Sequence, residues 1–280
     1  MQRLKTIYEK EVIFIRLMGQ TREIHPGMGL RTMYGMLQPE DIGRDAFIAL
    51  VLSEGFRLRS VEKKVRTTYS IKSNRYTNLL VGKWFTDINQ VWSSDITYLY
   101  CLGKFYYIVM IMDVYSRRII GYSLADNMRA ENNFAALKMA LMFRGITNYY
   151  ETLIHHSDKG SQYASDLYTQ TLDDYGIAIS MCDDVLENSH IERVNETIKN
   201  QYLNRMQINS EKELIQKVKA VMETYNNLRP HQSLNEMTPR EFENLLLQIP
   251  IDQRIKMDIY TVKKNIELKD PNQLMLSFTI

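Results

Sequence analysis

The spacing of apolar positions divides the chain into a helical beginning and a sheet-forming middle. Leu4, Ile7, Tyr8, Val12, Ile15 and Met18 recur at helical intervals and predict a first helix over 1–20, with Gly19 near its end. His25-Pro-Gly-Met-Gly29 reads as a turn. Helices over Leu30–Leu37 and Arg44–Ser53, the second stopped by Gly55, would complete a small helix-turn-helix-like unit. Past Arg57 the apolar period vanishes through Asn78, as in an extended linker. After Trp84 the pattern turns to strands. Residues 91–100 alternate and are rich in aromatic and β-branched side chains, Leu102-Gly103-Lys104 is a hairpin turn, and 105–113 and 118–124 are two more strands. A helix near 130–143, a short buried strand at 153–156, a helix over 163–175, a strand at 177–181 and helices near 189–203 and 210–225 follow. This order predicts an α/β fold, a mixed five-stranded sheet flanked by helices and preceded by a small all-α unit. The expected divisions are 1–56 (helix-turn-helix-like), 57–83 (linker), 84–248 (sheet-forming core) and 249–280, a tail whose pattern assigns no element.

Composition narrows this picture in two ways. The longest uncharged apolar run of the core, 105–112, is eight residues, far short of the ~20 a membrane helix needs. Glu9 and Glu11 follow Arg3 and Lys5 too closely for a signal peptide, and the chain has only two cysteines, Cys101 and Cys182, so a reduced cytoplasmic setting is expected. The net charge of +2 conceals an asymmetry: residues 1–80 carry 14 basic against 8 acidic side chains, the remainder 21 against 25. Residues 56–83 hold eight basic side chains and one acid, Glu62; Arg57, Arg59, Lys63, Lys64 and Arg66 lead that run, which suits a segment following a polyanion.

The candidate chemistry lies in three short stretches, Trp92-Ser-Ser-Asp-Ile-Thr-Tyr98, His155-His-Ser-Asp-Lys-Gly-Ser-Gln-Tyr163 and the run from Glu187 to Lys199. Each holds a carboxylate, Asp95, Asp158 and Glu192, that a fold could bring to one point, and acids without a cysteine or histidine framework suit hard ions such as Mg²⁺. Asp95 falls mid-strand, where an acid is costly unless paired or metal-bound. Asp158 closes an apolar strand, the usual ligand end in α/β sheets. Glu192 borders an apolar stripe of Ile191, Val194 and Ile198, and in a regular helix Lys199 would stand two turns on and only about 20° round. Asp183, Asp184, Glu187 and Glu196 lie within reach of the same region, with Glu196 the chief rival to Glu192. His155 and His156, as strand neighbours, point to opposite faces and read as core residues. The cysteines lack zinc spacing, and there is no phosphate loop of the GxxxxGK[ST] form.

Taken together, these stretches resemble the catalytic core of DDE transposases and retroviral-type integrases, and most of all the second-frame protein of the insertion sequence 3 family. Thr224-Tyr-Asn-Asn-Leu-Arg-Pro-His-Gln-Ser-Leu234 and Thr238-Pro239 resemble the segment that closes that core. His25-Pro-Gly-Met-Gly-Leu-Arg and Gly43-Arg-Asp-Ala-Phe resemble the helical region ahead of it. The resemblance spans about residues 20–245. It implies an RNase H-like fold, two Mg²⁺ or Mn²⁺ ions held by Asp95, Asp158 and Glu192, and metal-dependent cleavage and joining of element ends, with Lys199, Lys159 and Asn195 on the DNA. It also implies homo-oligomers on the element's terminal repeats and target DNA, and an upstream-frame partner protein. A catalytically silent DNA-binding remnant or regulator is the alternative, and a nuclease that cuts without joining a third reading. Only 33 residues separate Asp158 from Glu192, fewer than the resemblance leads one to expect, so a shortened loop is placed near 183–187, a change a loop tolerates.

Overall fold

A computed structural model of the chain describes residues 2–40, 42–61, 76–147, 152–182 and 188–258. Three helices come first, α1 (Gln2–Ile24), α2 (Leu30–Leu37) and α3 (Arg44–Ser53). They close around Met18, Met28, Met33, Phe47 and Val51, each 1% exposed or less. The first helix runs past Gly19 and stops only before His25-Pro26, because a residue preceding proline is driven out of the helical region.

The rest of the described chain forms β1 (Trp84–Phe85), β2 (Val91–Cys101), β3 (Lys104–Asp113), β4 (Ile119–Ala125), α4 (Ala130–Arg144), β5 (Ile154–Ser157), α5 (Asp166–Asp174), β6 (Ala178–Met181) and α6 (Ser189–Glu196). After a π-helical and a 3₁₀ turn come α7 (Glu211–Asn227), α8 (Pro239–Leu246) and β7 (Met257–Asp258). Five strands pair in the order β4-β3-β2-β5-β6, the first three antiparallel and the last two parallel. The sheet is mixed and five-stranded, as expected. Its hairpin turns on Leu102 and Gly103 at φ 53° and 78°, the paired positive-φ geometry that matches strand twist.

Two apolar layers fix the sheet between helices. On one face Trp92, Val109, Ile111 and Ile120 meet α4 and α5 through Leu137, Ala140, Tyr168 and Leu172. On the other Val91, Leu99, Ile108, Met110 and Met112 meet Ile191, Val194 and Ile198 of α6 and its continuation and Leu214, Val218 and Val221 of α7. The unbroken apolar run of β3 follows from this, since a strand covered on both faces needs no polar alternation.

The segment after Pro250, unassigned from pattern, returns to the core. Strand β7 pairs with β1, the Tyr115 hydroxyl donates to the Ile255 carbonyl at 2.9 Å, and Arg254 is ion-paired to Asp87 and bonded to the Leu246 carbonyl at 2.7 Å. The end of the expected linker is also bound in, the Leu79 N–H donating to the Ser180 hydroxyl at 2.9 Å beside β6. Sequence periodicity misses both because each is a short pairing made by distant partners.

Strand β4 lies so close to α4 that a side chain on Gly121 would overlap the Ala136 carbonyl oxygen and press on Ala140. Gly121→Ala is therefore expected to lower the unfolding free energy by about 1–3 kcal/mol, the usual range for overpacking. Urea denaturation followed by circular dichroism measures it, and an unchanged midpoint would mean that α4 moves aside freely.

Candidate active site

Register does most of the work of assembling the site. Strands β2 and β5 are parallel and pair from Val91↔Ile154 to Ser94↔Ser157. The next residue on each chain is Asp95 and Asp158, so the two acids lie side by side at the roughly 4.8 Å spacing of neighbouring strands. Strand alternation gives Asp95 the same face as Ser93, whose hydroxyl donates to Asn188 Oδ1 at 2.5 Å, and Asn188 begins α6. Asn188 Nδ2 in turn donates to the Ser94 carbonyl at 3.2 Å, fixing the start of the helix on the sheet. From the opposite face the Tyr163 hydroxyl meets Ser94 Oγ at 2.9 Å.

Asp158 stands just beyond the end of β5, where its Oδ1 accepts the Gly160 N–H at 3.0 Å. A side chain at Gly160 would come within 2.9 Å of that oxygen and 3.1 Å of Gln162 Oε1, so a larger residue there would push the Asp158 carboxylate from its place. Glu192 comes from α6. Its neighbours Ile191, Val194 and Ile198 are buried as the stripe predicts, leaving Glu192 half-buried at the rim while Glu196 is exposed. Glu187, Asp183 and Asp184 fall outside the described residues.

The three acids share one electrostatic field. Burial pushes the Asp95 carboxyl up to about 7, with Asp158 and then Glu192 adding to the rise against the Ile96 backbone and Asn195 hydrogen bonds. Asp158 is raised by burial against the Gly160 hydrogen bond, and Glu192 by burial and then by Asp158. Sequence reasoning missed what offsets this repulsion: Asn195, one turn after Glu192, donates from Nδ2 to Asp95 Oδ2 at 2.6 Å. The i, i+3 spacing of Glu192 and Asn195 on one helix face was the available signal. Asn195, expected on the DNA, thus has its side chain turned inward to Asp95 and is only 5% exposed.

The remaining expected contacts are spread around this point. Lys199 does not follow from a regular helix, because residues Thr197–Tyr202 are π-helical and each advances less than an α-helical residue. Its ammonium lies 4.6 Å from the ring centre of Tyr98, three residues past Asp95 on β2. Lys159 is half-buried beside Asp158, and Arg57 and Arg59 are exposed. Lys63, Lys64 and Arg66 lie outside the described residues. His155 and His156 do face opposite ways, bonded to the Tyr168 hydroxyl at 2.8 Å and to Ser180 Oγ at 2.9 Å.

A carboxyl whose folded pKa is raised stabilises the fold only while it is protonated. Through Asp95, stability in metal-free buffer is therefore full below the ordinary carboxylate value of 3.8 and lost as pH rises toward about 7. Asp95→Asn is expected to flatten this fall and to melt higher than the parent chain at pH 8. Thermal melts from pH 4 to 8 decide it, and an equally steep fall in the variant would remove Asp95 as its source.

Comparison with known proteins agrees with this architecture. An integrase core domain model matches residues 86–184 and a second integrase core domain model residues 176–239. The chain is 31% identical over 206 residues to the insertion element IS600 uncharacterized 31 kDa protein of Shigella sonnei, covering 72% of this chain and 75% of the relative. It is 30% identical over 226 residues to the transposase for insertion sequence element IS629 of Shigella sonnei, covering 79% and 75%. Transposase InsF for insertion sequence IS3A of Escherichia coli is 30% identical over 161 residues, 56% of this chain and 54% of that one. Among solved structures, the HTLV-2 integrase catalytic core domain in complex with magnesium aligns at 17% identity and a TM-score of 0.45, covering 55% of this chain and 96% of the other. On the sequence relationships, the chain belongs to the insertion-sequence transposases, with an integrase core domain.

Proposed function

We propose that the chain cuts DNA at the ends of its element and joins the freed 3′ ends to a target, with Asp95, Asp158 and Glu192 as its catalytic acids. The observation that carries this reading is the pairing register that ends at Ser94↔Ser157 and so sets Asp95 beside Asp158, with Glu192 in the same field.

The donor set fits divalent cations. Asp95, Asp158 and Glu192 are hard oxygen donors each raised by burial, Asp158 adding to the rise of the other two, and the buried Oδ1 of Asn195 has no hydrogen-bond partner. Among the described residues no three acidic, histidine or cysteine side chains stand close enough to ligate one ion as they are. Two Mg²⁺ or Mn²⁺ ions held by Asp95, Asp158 and Glu192 would supply charge neutralisation at the phosphate and a more acidic attacking oxygen.

The chain's own groups then have separate tasks. Asn195 aims Asp95, Gly160 aims Asp158, and the Ile191, Val194, Ile198 stripe seats Glu192 at the rim. Lys199, with Lys159, holds the DNA phosphate beside them. Water attacks phosphorus and the bond to the flanking strand breaks, leaving a 3′-OH; that hydroxyl then attacks a target phosphodiester, forming one P–O bond as another is lost. The basic segment from Arg57 follows the DNA backbone. Two ends joined in concert call for an oligomer, and an upstream-frame protein of the same element is a further candidate partner.

On a pre-cut 3′-OH substrate with Mg²⁺, Asp95→Asn, Asp158→Asn and Glu192→Gln are each expected to leave under about a tenth of the joining activity, with DNA affinity nearly intact. Glu196→Gln and Glu187→Gln should lose less than about tenfold. An active Glu192→Gln beside a dead Glu196→Gln would move the site one turn along. Binding with neither cutting nor joining would support the silent DNA-binding alternative, and cutting without joining a plain nuclease.

Affinity should follow salt through the basic segment. Replacing three of Arg57, Arg59, Lys63, Lys64 and Arg66 is expected to flatten the slope of log K against log salt by roughly 2.7, about 0.9 per phosphate contact. Fluorescence anisotropy across a salt series measures this, and an unchanged slope would make the segment a passive linker.

A further inference from the structure

The helix that carries Glu192 changes its winding before it ends. From Thr197 to Tyr202 it hydrogen-bonds i to i+5, a rare geometry that concentrates at functional positions and gains less from its own bonds than an α-helix. Groups outside the segment hold it: Ile198 is packed in the core, Arg205 Nε donates to the Asn200 carbonyl at 2.9 Å, and the turn before α2 bears on its last two residues. Gln201 Oε1 accepts from Arg229 Nη2 at 3.1 Å, and a side chain on Gly27 would overlap the Gln201 backbone, so the turn before α2 lies directly on the π-helical turn. The buried Tyr202 hydroxyl meets His25 Nδ1 at 2.7 Å, the rings standing edge to face at 6.0 Å and 70°. Nearby, Arg205 Nη1 donates to the Arg59 carbonyl at 3.2 Å.

The imidazole is well suited to this post. Burial and then the Arg229 guanidinium hold His25 down to about 4, with the Leu228 backbone hydrogen bond opposing. In the neutral tautomer with its proton on Nε2, His25 accepts the Tyr202 hydroxyl at Nδ1. Lys199 sits in the middle of the clamped segment, its ammonium over Tyr98. Relaxing the π-turn to an α-helix would rotate Lys199 relative to Glu192 and carry it off that ring.

We propose that His25 is a positioning residue: by holding Tyr202 it locks the π-helical turn that directs Lys199 to the substrate phosphate. The three-helix unit thereby acts on the site through a contact of its own, in addition to any DNA it binds. The inference rests on the joining reaction proposed above, so one of its tests is independent of catalysis.

That test is amide hydrogen exchange on the full chain. His25→Ala and Tyr202→Phe should each speed exchange in the peptide covering 197–202 by about tenfold or more while the sheet strands exchange as before. His25→Asn, whose amide oxygen can take the place of Nδ1, should restore at least half of the protection. Joining assays on pre-cut substrate supply the second reading. His25→Ala and Tyr202→Phe should lower kcat by about tenfold with KM for DNA within about twofold, and the pair together should fall no further. In a Lys199→Ala background His25→Ala should then change kcat by less than about twofold, which a general loss of stability would not reproduce. Unchanged exchange at 197–202 overturns the proposal, as does a His25→Ala loss that persists undiminished in the Lys199→Ala background. A parent chain that fails to join refutes the proposed function alone, and exchange then decides whether His25 holds the turn.

Discussion

Bringing three carboxylates to one place is unfavourable, and much of the local structure can be understood as what holds them there. Asp95 and Asp158 cannot drift apart because each is the next residue after a paired position in the parallel β2–β5 ladder. Burial raises all three carboxyls, and the charge of Asp158 adds to the rise of Asp95 and Glu192. The ladder, the apolar stripe under α6 and the Asn195 amide oppose that strain with backbone bonds, burial and one short hydrogen bond. A site held in such tension accepts positive charge readily, whether from a cation or from a proton at low pH.

A second buried acid cluster shows what a satisfied version looks like. Asp113, at the far end of β3 and fully buried, accepts the N–H groups of Asn89, Tyr115 and Ser116 at 2.7, 3.1 and 3.2 Å. Arg144 binds it at 3.3 Å and reaches Glu243 on α8 at 2.6 Å, while Arg118 and Ser116 also bond Glu243. Every acid there has a cation or a row of donors, and the cluster ties α4, the β3–β4 turn and α8 together. Asp95 and Asp113 are both strand aspartates in one meander. Burial raises both carboxyls; what separates them is that Asp113 has the Arg144 guanidinium and backbone N–H donors against one acid, Glu243, whereas Asp95 has the Ile96 backbone and the Asn195 amide against two.

The same contrast bears on how the first three helices relate to the core. Their unit has an apolar centre of its own, yet its connection to the core is polar and close, through His25, Gly27 and the segment that follows α6. A polar, glycine-tight contact is geometrically more demanding than an apolar one, because a buried hydroxyl left without its partner is costly. Such a contact transmits position, and it falls on the helix that carries Glu192.

Periodicity and motif spacing alone determined the α/β class, the order of the five sheet strands and their helices, the strand that carries Asp95 and the one that Asp158 follows, and the place of Glu192 at the edge of an apolar stripe. These were legible because each depends on residues close in sequence, through alternation, turn chemistry or helical phase. Tertiary structure decided the rest. Asn195 turned inward to Asp95, Lys199 left its expected phase in a π-helical turn, β7 returned to β1, and a sequence that read as a simple turn at His25 became a clamp on Tyr202. Each of these joins groups about 100 residues or more apart or departs from regular winding, and a pattern of neighbours carries no record of partners that only the folded chain brings together.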